Sequence, residues 1–204
     1  MKSIRAGTYK EIARANLRGQ LLDAASRILA AEGAENLGIR RITDEVGAST
    51  MVFYSTFGNK QGLMEALWLE GFERFWLLQQ EVLELNLTPF ERVLALCRVY
   101  RTNALTNPEY FSITFGGAIK ADIIPEAVRT KSRRVLDTLV QAVNESMEDG
   151  QLTKGDALEV ATSLWSSAHG YCTLELAKFL EERASDEVFE RHITANIRSY
   201  LVIS

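Results

Sequence analysis

Apolar residues recur at three- and four-residue spacing along most of the chain. Leu17, Leu21, Leu22, Ala25, Ile28 and Leu29 share one helical face, and Gly33 after them supplies a stop, which predicts a first helix over residues 8–32. Ile39, Ile42 and Val46 mark a short second helix over residues 39–46. Gly47-Ala48-Ser49 interrupts it, and a third short helix follows over residues 50–56. Asn59 fits the cap of a long fourth helix over residues 60–83, whose apolar face holds Leu63, Leu67, Phe72, Phe75 and Trp76.

Beyond residue 85 the punctuation is explicit. Thr88-Pro89 pairs an N-cap with proline at the first helical position and opens a helix over residues 89–106. Asn107-Pro108 repeats the device before a short aromatic helix with Tyr110, Phe111 and Phe115, ended by Gly116-Gly117. Pro125 predicts a helix to about Glu148, stopped at Asp149-Gly150. Thr153 is read as the cap of a long helix to about Glu182, and Ser185 or Asp186 as the cap of a last one to about Val202. Strand signals are weak, because no Asn-Gly or Asp-Gly pair separates alternating apolar runs. The chain reads as all-α, with no internal repeat.

Composition narrows the class. The 204 residues are 47% hydrophobic and 25% charged, the balance of an ordinary globular protein. No apolar run approaches the ~20 residues that cross a bilayer, and no apolar segment follows the basic N-terminus as a signal peptide requires. Cys97 and Cys172 make neither a disulfide framework nor a zinc site, so a cytoplasmic protein without metal or cofactor is expected. The net charge of −4 is unevenly spread. Residues 1–60 carry nine Lys/Arg against six Asp/Glu, a net +3, which leaves −7 on the remainder. A basic N-terminal module on an acidic body suits phosphate contacts at one end.

Two short helices joined by a glycine turn, behind a longer one, match the helix-turn-helix arrangement. Gly47 stands where a positive φ is needed, and Ser49 is placed to cap the third helix. Phe53 and Phe57 would face Ile28, Leu29, Ile42 and Val46, leaving Thr50, Met51, Ser55 and Thr56 outward. A generic helical bundle with a glycine turn fits the same spacing. Arg40 and Arg41 fall in the first turn of the second helix, where cations oppose the helix dipole. A nearby phosphate would offset that repulsion, as would plain solvation.

Residues 20–67 resemble the DNA-binding domain of the TetR (tetracycline-repressor) family of transcriptional regulators. The resemblance is carried by Ala24-Ala25 with Ile28, Leu29 and Gly33, then by Ile42, Gly47-Ala48-Ser49 and Phe53-Tyr54-Ser55-Thr56-Phe57. Asn59-Lys60-Gln61-Gly62-Leu63 completes it. It implies that residues 50–56 form a recognition helix in the major groove, with Thr50 and Met51 near base edges and Tyr54 and Lys60 on phosphates. Tyr54 also suits packing within the module. Arg40, Arg41, Ser49, Ser55 and Thr56 complete the expected DNA-binding set. The sequence departs from the family at Gly38, which replaces a capping Ser or Thr, at Thr56, often histidine, and at Thr43, usually alanine. Residues 2–18 hold five basic residues and one acid, which suits an arm reaching DNA and equally a solvated extension.

In the C-terminal body, Trp165-Ser166-Ser167-Ala168-His169-Gly170 is similar to the Trp…His-Gly signature of one TetR subgroup. With Pro108-Glu109-Tyr110-Phe111 it extends the resemblance over nearly the whole chain. Trp165 and His169 lie four residues apart and share a helix face. A ligand pocket of Trp76, Tyr100, Phe111, Phe115, Trp165 and His169 is expected, with His169 donating to a small apolar or aromatic effector. The same aromatics also suit a packed core, with His169 bonded to a neighbouring carbonyl. Leu164, Ala168, Tyr171 and Leu174 could face Val188, Phe189, Ile193, Ile197 and Leu201. The resemblance implies that these last two helices form the homodimer interface.

The expectation is a DNA-binding domain over residues 1–62 and an effector-binding and dimerisation domain over 63–204. Together they would make a ligand-responsive regulator, in sense a repressor, on a palindromic double-stranded operator. The alternative is a protein-interaction module of the same fold that has lost DNA binding. No enzyme is expected: His169 and Cys172 on one helix, with no orienting acid and no oxyanion site, do not make a nucleophile and base.

Overall fold

The structure is a computed structural model that describes residues 6–180 and 184–202, without the side chains of residues 6–8 and 121. Ten α-helices are present among the described residues: α1 Ala6–Glu32, α2 Ile39–Val46, α3 Thr50–Phe57, α4 Lys60–Leu83, α5 Pro89–Thr106, α6 Pro108–Phe115, α7 Glu126–Ser132, α8 Arg134–Glu148, α9 Ala157–Leu176 and α10 Asp186–Ile197. Short 3₁₀ turns lie at Ala34–Asn36, Ala121–Ile123 and Arg198–Tyr200. No named strand occurs among the described residues, and none of their helices is long and apolar enough to cross a membrane. The protein is all-α.

Capping chemistry explains most boundaries. Gly47 ends α2 at φ 71°, and its N–H reaches the carbonyls of Thr43 and Asp44. The Asn59 Oδ1 accepts from the Gly62 N–H at 2.9 Å and so caps α4. Thr88 forms a full capping box with Glu91, whose carboxyl is held below its usual range by the Thr88 backbone N–H and hydroxyl. Ser49 has the extended backbone of an N-cap, but its hydroxyl makes no capping bond, contrary to expectation.

Four other boundaries also correct the sequence reading. The helix expected from Pro125 to Glu148 is two helices, α7 and α8, parted at Arg133. No glycine or proline marks the break. The first turn of α8 is tied to α4 instead: Arg134 pairs with Glu73 and lies 4.1 Å above the Trp76 ring, and Gln79 bonds the Val135 carbonyl. Next, Asp156 and not Thr153 caps α9, accepting from the Leu158 N–H at 2.8 Å. Thr153 is occupied elsewhere, since its N–H donates to the Tyr200 carbonyl at 2.8 Å beside the Leu152–Leu201 bridge. Helix α10 ends at Ile197, short of the expected Val202, and passes into the 3₁₀ turn Arg198–Tyr200 before that bridge. Finally, α9 ends at Leu176, where Lys178 takes a left-handed φ of 61° and the Phe179 N–H closes on the Leu174 carbonyl. The expected extension to Glu182 runs into residues 181–183, outside the described ones, as do Lys2 and Arg5 of the expected arm. From Ala6 onward that segment is part of α1.

The chain forms two compact units. The first comprises the described part of residues 1–71 with residues 109–129. Its core packs Leu21, Leu22, Leu29, Ile42, Phe53, Leu63 and Leu67, each at most 1% exposed. Helix α6 belongs to this unit: the Tyr110 hydroxyl donates to Asp23 Oδ1 at 3.1 Å, and Gly71 leaves room for Tyr110 and Thr114. The second unit comprises residues 72–108 and the described part of 130–204, in which α5, α8 and α9 pack on one another and α10 on α9. Arg101 of α5 is its buried charge centre. It forks onto Glu175 of α9 at 2.7 and 2.8 Å, pairs with Asp186 at the start of α10, and lies over the Phe189 ring.

Candidate functional site

The reading surface is built by the α2–turn–α3 segment. Phe53 and Phe57 are the inward anchors of α3, tilted against each other at 5.3 Å. Their burial fixes the helix rotation and sends Met51, Tyr54, Ser55 and Thr56 outward, with Met51 79% exposed and Thr50 half-buried. Tyr54 does two things: its ring meets Phe53 edge-on at 5.6 Å, and it remains 54% exposed. The Ser55 and Thr56 hydroxyls both donate to the Val52 carbonyl, at 2.9 and 2.7 Å, so each keeps its lone pairs for an outside donor.

The cations around α3 differ in state. Arg41 is clamped by both oxygens of Glu32 at 2.5 and 2.6 Å, and this pairing raises the guanidinium pKa and lowers that of the carboxyl. The helix-dipole penalty on Arg41 is thus offset within the protein. Arg40, beside it, is exposed. Lys60 donates its ammonium to the Ala34 carbonyl at 2.7 Å, and Arg27 pairs with Glu45 at 2.5 Å across α1 and α2. Thr43 is buried at 1% exposure, its hydroxyl satisfied by the Ile39 and Arg40 carbonyls. Gly38 caps α2 with no side-chain bond.

Three of the expected effector residues form one chain in the second unit. The Tyr100 hydroxyl lies 2.9 Å from His169 Nδ1 and also bonds the Trp165 indole. An indole N–H can only donate, so the Tyr100 oxygen accepts from Trp165, while the direction of the Tyr100–His169 bond follows the imidazole tautomer; Nε2 lies 3.5 Å from the Thr173 hydroxyl. Burial holds His169 below its ordinary pKa and lifts the Tyr100 phenol, so both are neutral at pH 7. His169 is therefore bonded to a phenol. Phe75 joins the cluster edge-on to Tyr100 at 5.4 Å, and Trp76 carries Arg134 on its face. Phe111 and Phe115 pair with each other, 5.3 Å apart, in the first unit. Burial, helped by the Glu190 and Glu175 carboxylates, pushes the Cys97 and Cys172 thiols up to about 12, which leaves them unreactive.

Helices α9 and α10 pack Leu164, Ala168 and Tyr171 with Phe189, Ile193 and Ile197, all buried, while Leu174 stays 46% exposed. The Tyr171 and Phe189 rings meet at 5.1 Å, and Ser167 Oγ lies 2.8 Å from His192 Nε2. Sequence reasoning passed over Gln79, a 2%-exposed polar residue of α4, and the Glu32–Arg41 clamp. For Gln79 the signal was present: it sits four residues after Phe75, on the apolar stripe.

Comparison with known proteins agrees with this geometry. Residues 21–67 match the family model described as bacterial regulatory proteins, tetR family, and residues 93–196 match the tetracyclin repressor-like C-terminal domain. No curated protein matches the chain. A protein of unknown function from Rhodococcus sp. RHA1 is similar at 26% identity and TM-score 0.77, over 91% of this chain and 96% of that one. A TetR transcription regulator from Haloarcula marismortui is similar at 23% identity and TM-score 0.72, over 92% and 100%. Members of the matched family regulate transcription, bind DNA and small-molecule effectors, and are dimers. With a glycine turn presenting α3 and family matches at both ends, this chain belongs to the TetR family of transcriptional regulators.

Proposed function

We propose that the protein is a ligand-responsive repressor that binds a palindromic operator as a homodimer through α9 and α10. A small apolar or aromatic effector would release it. The observation that carries this reading is the outward set on α3: Met51, Tyr54, Ser55 and Thr56 exposed on a helix whose rotation is locked by two buried phenylalanines. In the proposed complex Thr50 and Met51 approach base edges, while Tyr54, Lys60, Arg40 and Arg41 hold phosphates with Ser49, Ser55 and Thr56 beside them. Division of labour follows the chain, with residues 1–62 reading DNA and residues 63–204 binding effector and partner. Two recognition helices would lie one helical turn, ~34–36 Å, or a multiple of it apart. Effector binding beside Trp76, Tyr100, Trp165 and His169 in the second unit would favour a conformation with altered spacing. Helix α4, which carries residues of both units, is the proposed transmitter.

The test is selection of bound duplexes from a random pool at two salt concentrations. A recovered palindrome whose affinity falls steeply with salt supports the regulator. No enrichment at either salt would turn the reading to a protein-interaction module, which the uncapped Gly38 also favours.

A further inference from the structure

Gln79 is a polar residue sealed into the second unit. It is 2% exposed, and its amide nitrogen donates to the Val135 carbonyl at 2.9 Å. The amide oxygen, Oε1, is buried and has no hydrogen-bond partner. The amide cannot be turned over to cure this, because the exchange would set Oε1 against the Val135 carbonyl, acceptor against acceptor. Ser146 Oγ, Tyr171 OH and Asn196 Oδ1 also lack partners, but the two hydroxyls can donate or accept and so do not define a ligand group, and Asn196 is only half-buried, whereas Gln79 Oε1 is sealed and can only accept.

Buried acceptors are nearly always bonded, and an exception calls for an explanation. Along α4, Phe75 lies one turn before Gln79 and Val82 nearly one turn after, both buried, and Val135 and Leu139 line the facing turn of α8. A water needs two to four polar partners, which such a lining supplies poorly. Phe75 in turn touches Tyr100, whose hydroxyl is already engaged by His169 and Trp165. The aromatic chain has satisfied itself, whereas Gln79 Oε1 beside it has not.

We propose that Gln79 Oε1 is the effector's hydrogen-bond acceptor, and that the effector is an apolar or aromatic molecule carrying an O–H or N–H donor. This rests on the reading of the protein as ligand-responsive and narrows its ligand class. A ligand with acceptors alone would leave Oε1 unsatisfied, and the site would discriminate against it.

The test uses the full-length protein and a size-graded panel of aromatic alcohols, each paired with its methyl ether, with binding measured by calorimetry. At least one alcohol should bind about tenfold more tightly than its ether. Gln79→Leu should bring that ratio near one while the ether's affinity stays within about twofold. The variant should fold, since it removes an unpaired polar atom; Gln79→Met, unbranched and adaptable, serves if leucine does not fit. Ethers binding as well as alcohols, a preference that survives both variants, or no binding by any member would overturn the assignment. Operator release is scored separately. An alcohol that binds with this preference but leaves the DNA complex intact upholds the assignment of Gln79 and counts only against the proposed repressor mechanism.

Discussion

Lys60 and His169 show how a single side chain carries a measurable consequence. Lys60 ends on the Ala34 carbonyl, a contact it must loosen to hold a phosphate. As a phosphate ligand it reads no sequence, so Lys60→Ala should weaken all operators alike and lower the salt slope by about 0.9 per protomer. Met51→Ala, in contrast, should redistribute base preference. Parallel titrations on operator variants separate the two. His169 gives a pH dependence. Burial lowers its pKa in the folded protein from 6.5, so below that value the unfolded chain takes up the proton first. Stability should be complete above pH 6.5 and fall as pH drops through the window down to the folded value. His169→Gln should flatten this limb in urea melts taken from neutral to mildly acid pH. An unchanged slope in the variant would show that other groups produce it.

At the scale of elements, glycines and one buried arginine set what the helices tolerate. Gly47 has φ 71° with nothing near the position of a Cβ, so Gly47→Ala should cost only the backbone term, about 1 kcal/mol. At Gly62 a Cβ would fall 2.0 Å from the Phe57 carbonyl oxygen, so Gly62→Ala must displace the start of α4 and should lower the melting temperature further. The reverse order would overturn this account of the turn. Arg101 links α5, α9 and α10, and it and Glu175 keep only 11% and 12% side-chain exposure. Arg101→Met strands the Glu175 carboxylate and should cost on the order of 3 kcal/mol; adding Glu175→Met should recover much of it. Asp186, 98% exposed, adds little. Denaturant melts of the three proteins decide.

These elements also mark what the sequence could say. Gly47, Thr88-Pro89 and Asn59 were legible because their signals are local backbone chemistry. The break at Arg133 and the left-handed Lys178 were not, because partners distant in sequence impose the first and no glycine announces the second; at α9 the local cap Asp156 stood in the sequence, but what draws Thr153 away from that role is the distant Tyr200 carbonyl. The site divides the same way. The face of α3 follows from Phe53 and Phe57, whereas the Arg41 clamp by Glu32 and the Tyr100–His169 bond join residues that no periodicity connects.

For the whole molecule, charge placement decides how the proposed dimer meets DNA. The net −7 on residues 61–204 repels phosphate, so attraction rests on the few cations beside α3. Arg40 is exposed, Lys60 holds only a carbonyl, and Arg41 must exchange Glu32 for phosphate. Three such cations per protomer give six phosphate contacts per dimer, hence a slope of log affinity against log salt on the order of −5. Glu32→Gln removes the internal competitor for Arg41 and should tighten binding to all duplexes without changing the preferred sequence. If Arg41 instead serves only to join α1 and α2, that variant should lower thermal stability and leave affinity as it was. Filter binding across a salt series, with wild type and Glu32→Gln in parallel, distinguishes a phosphate ligand held in reserve from a structural brace.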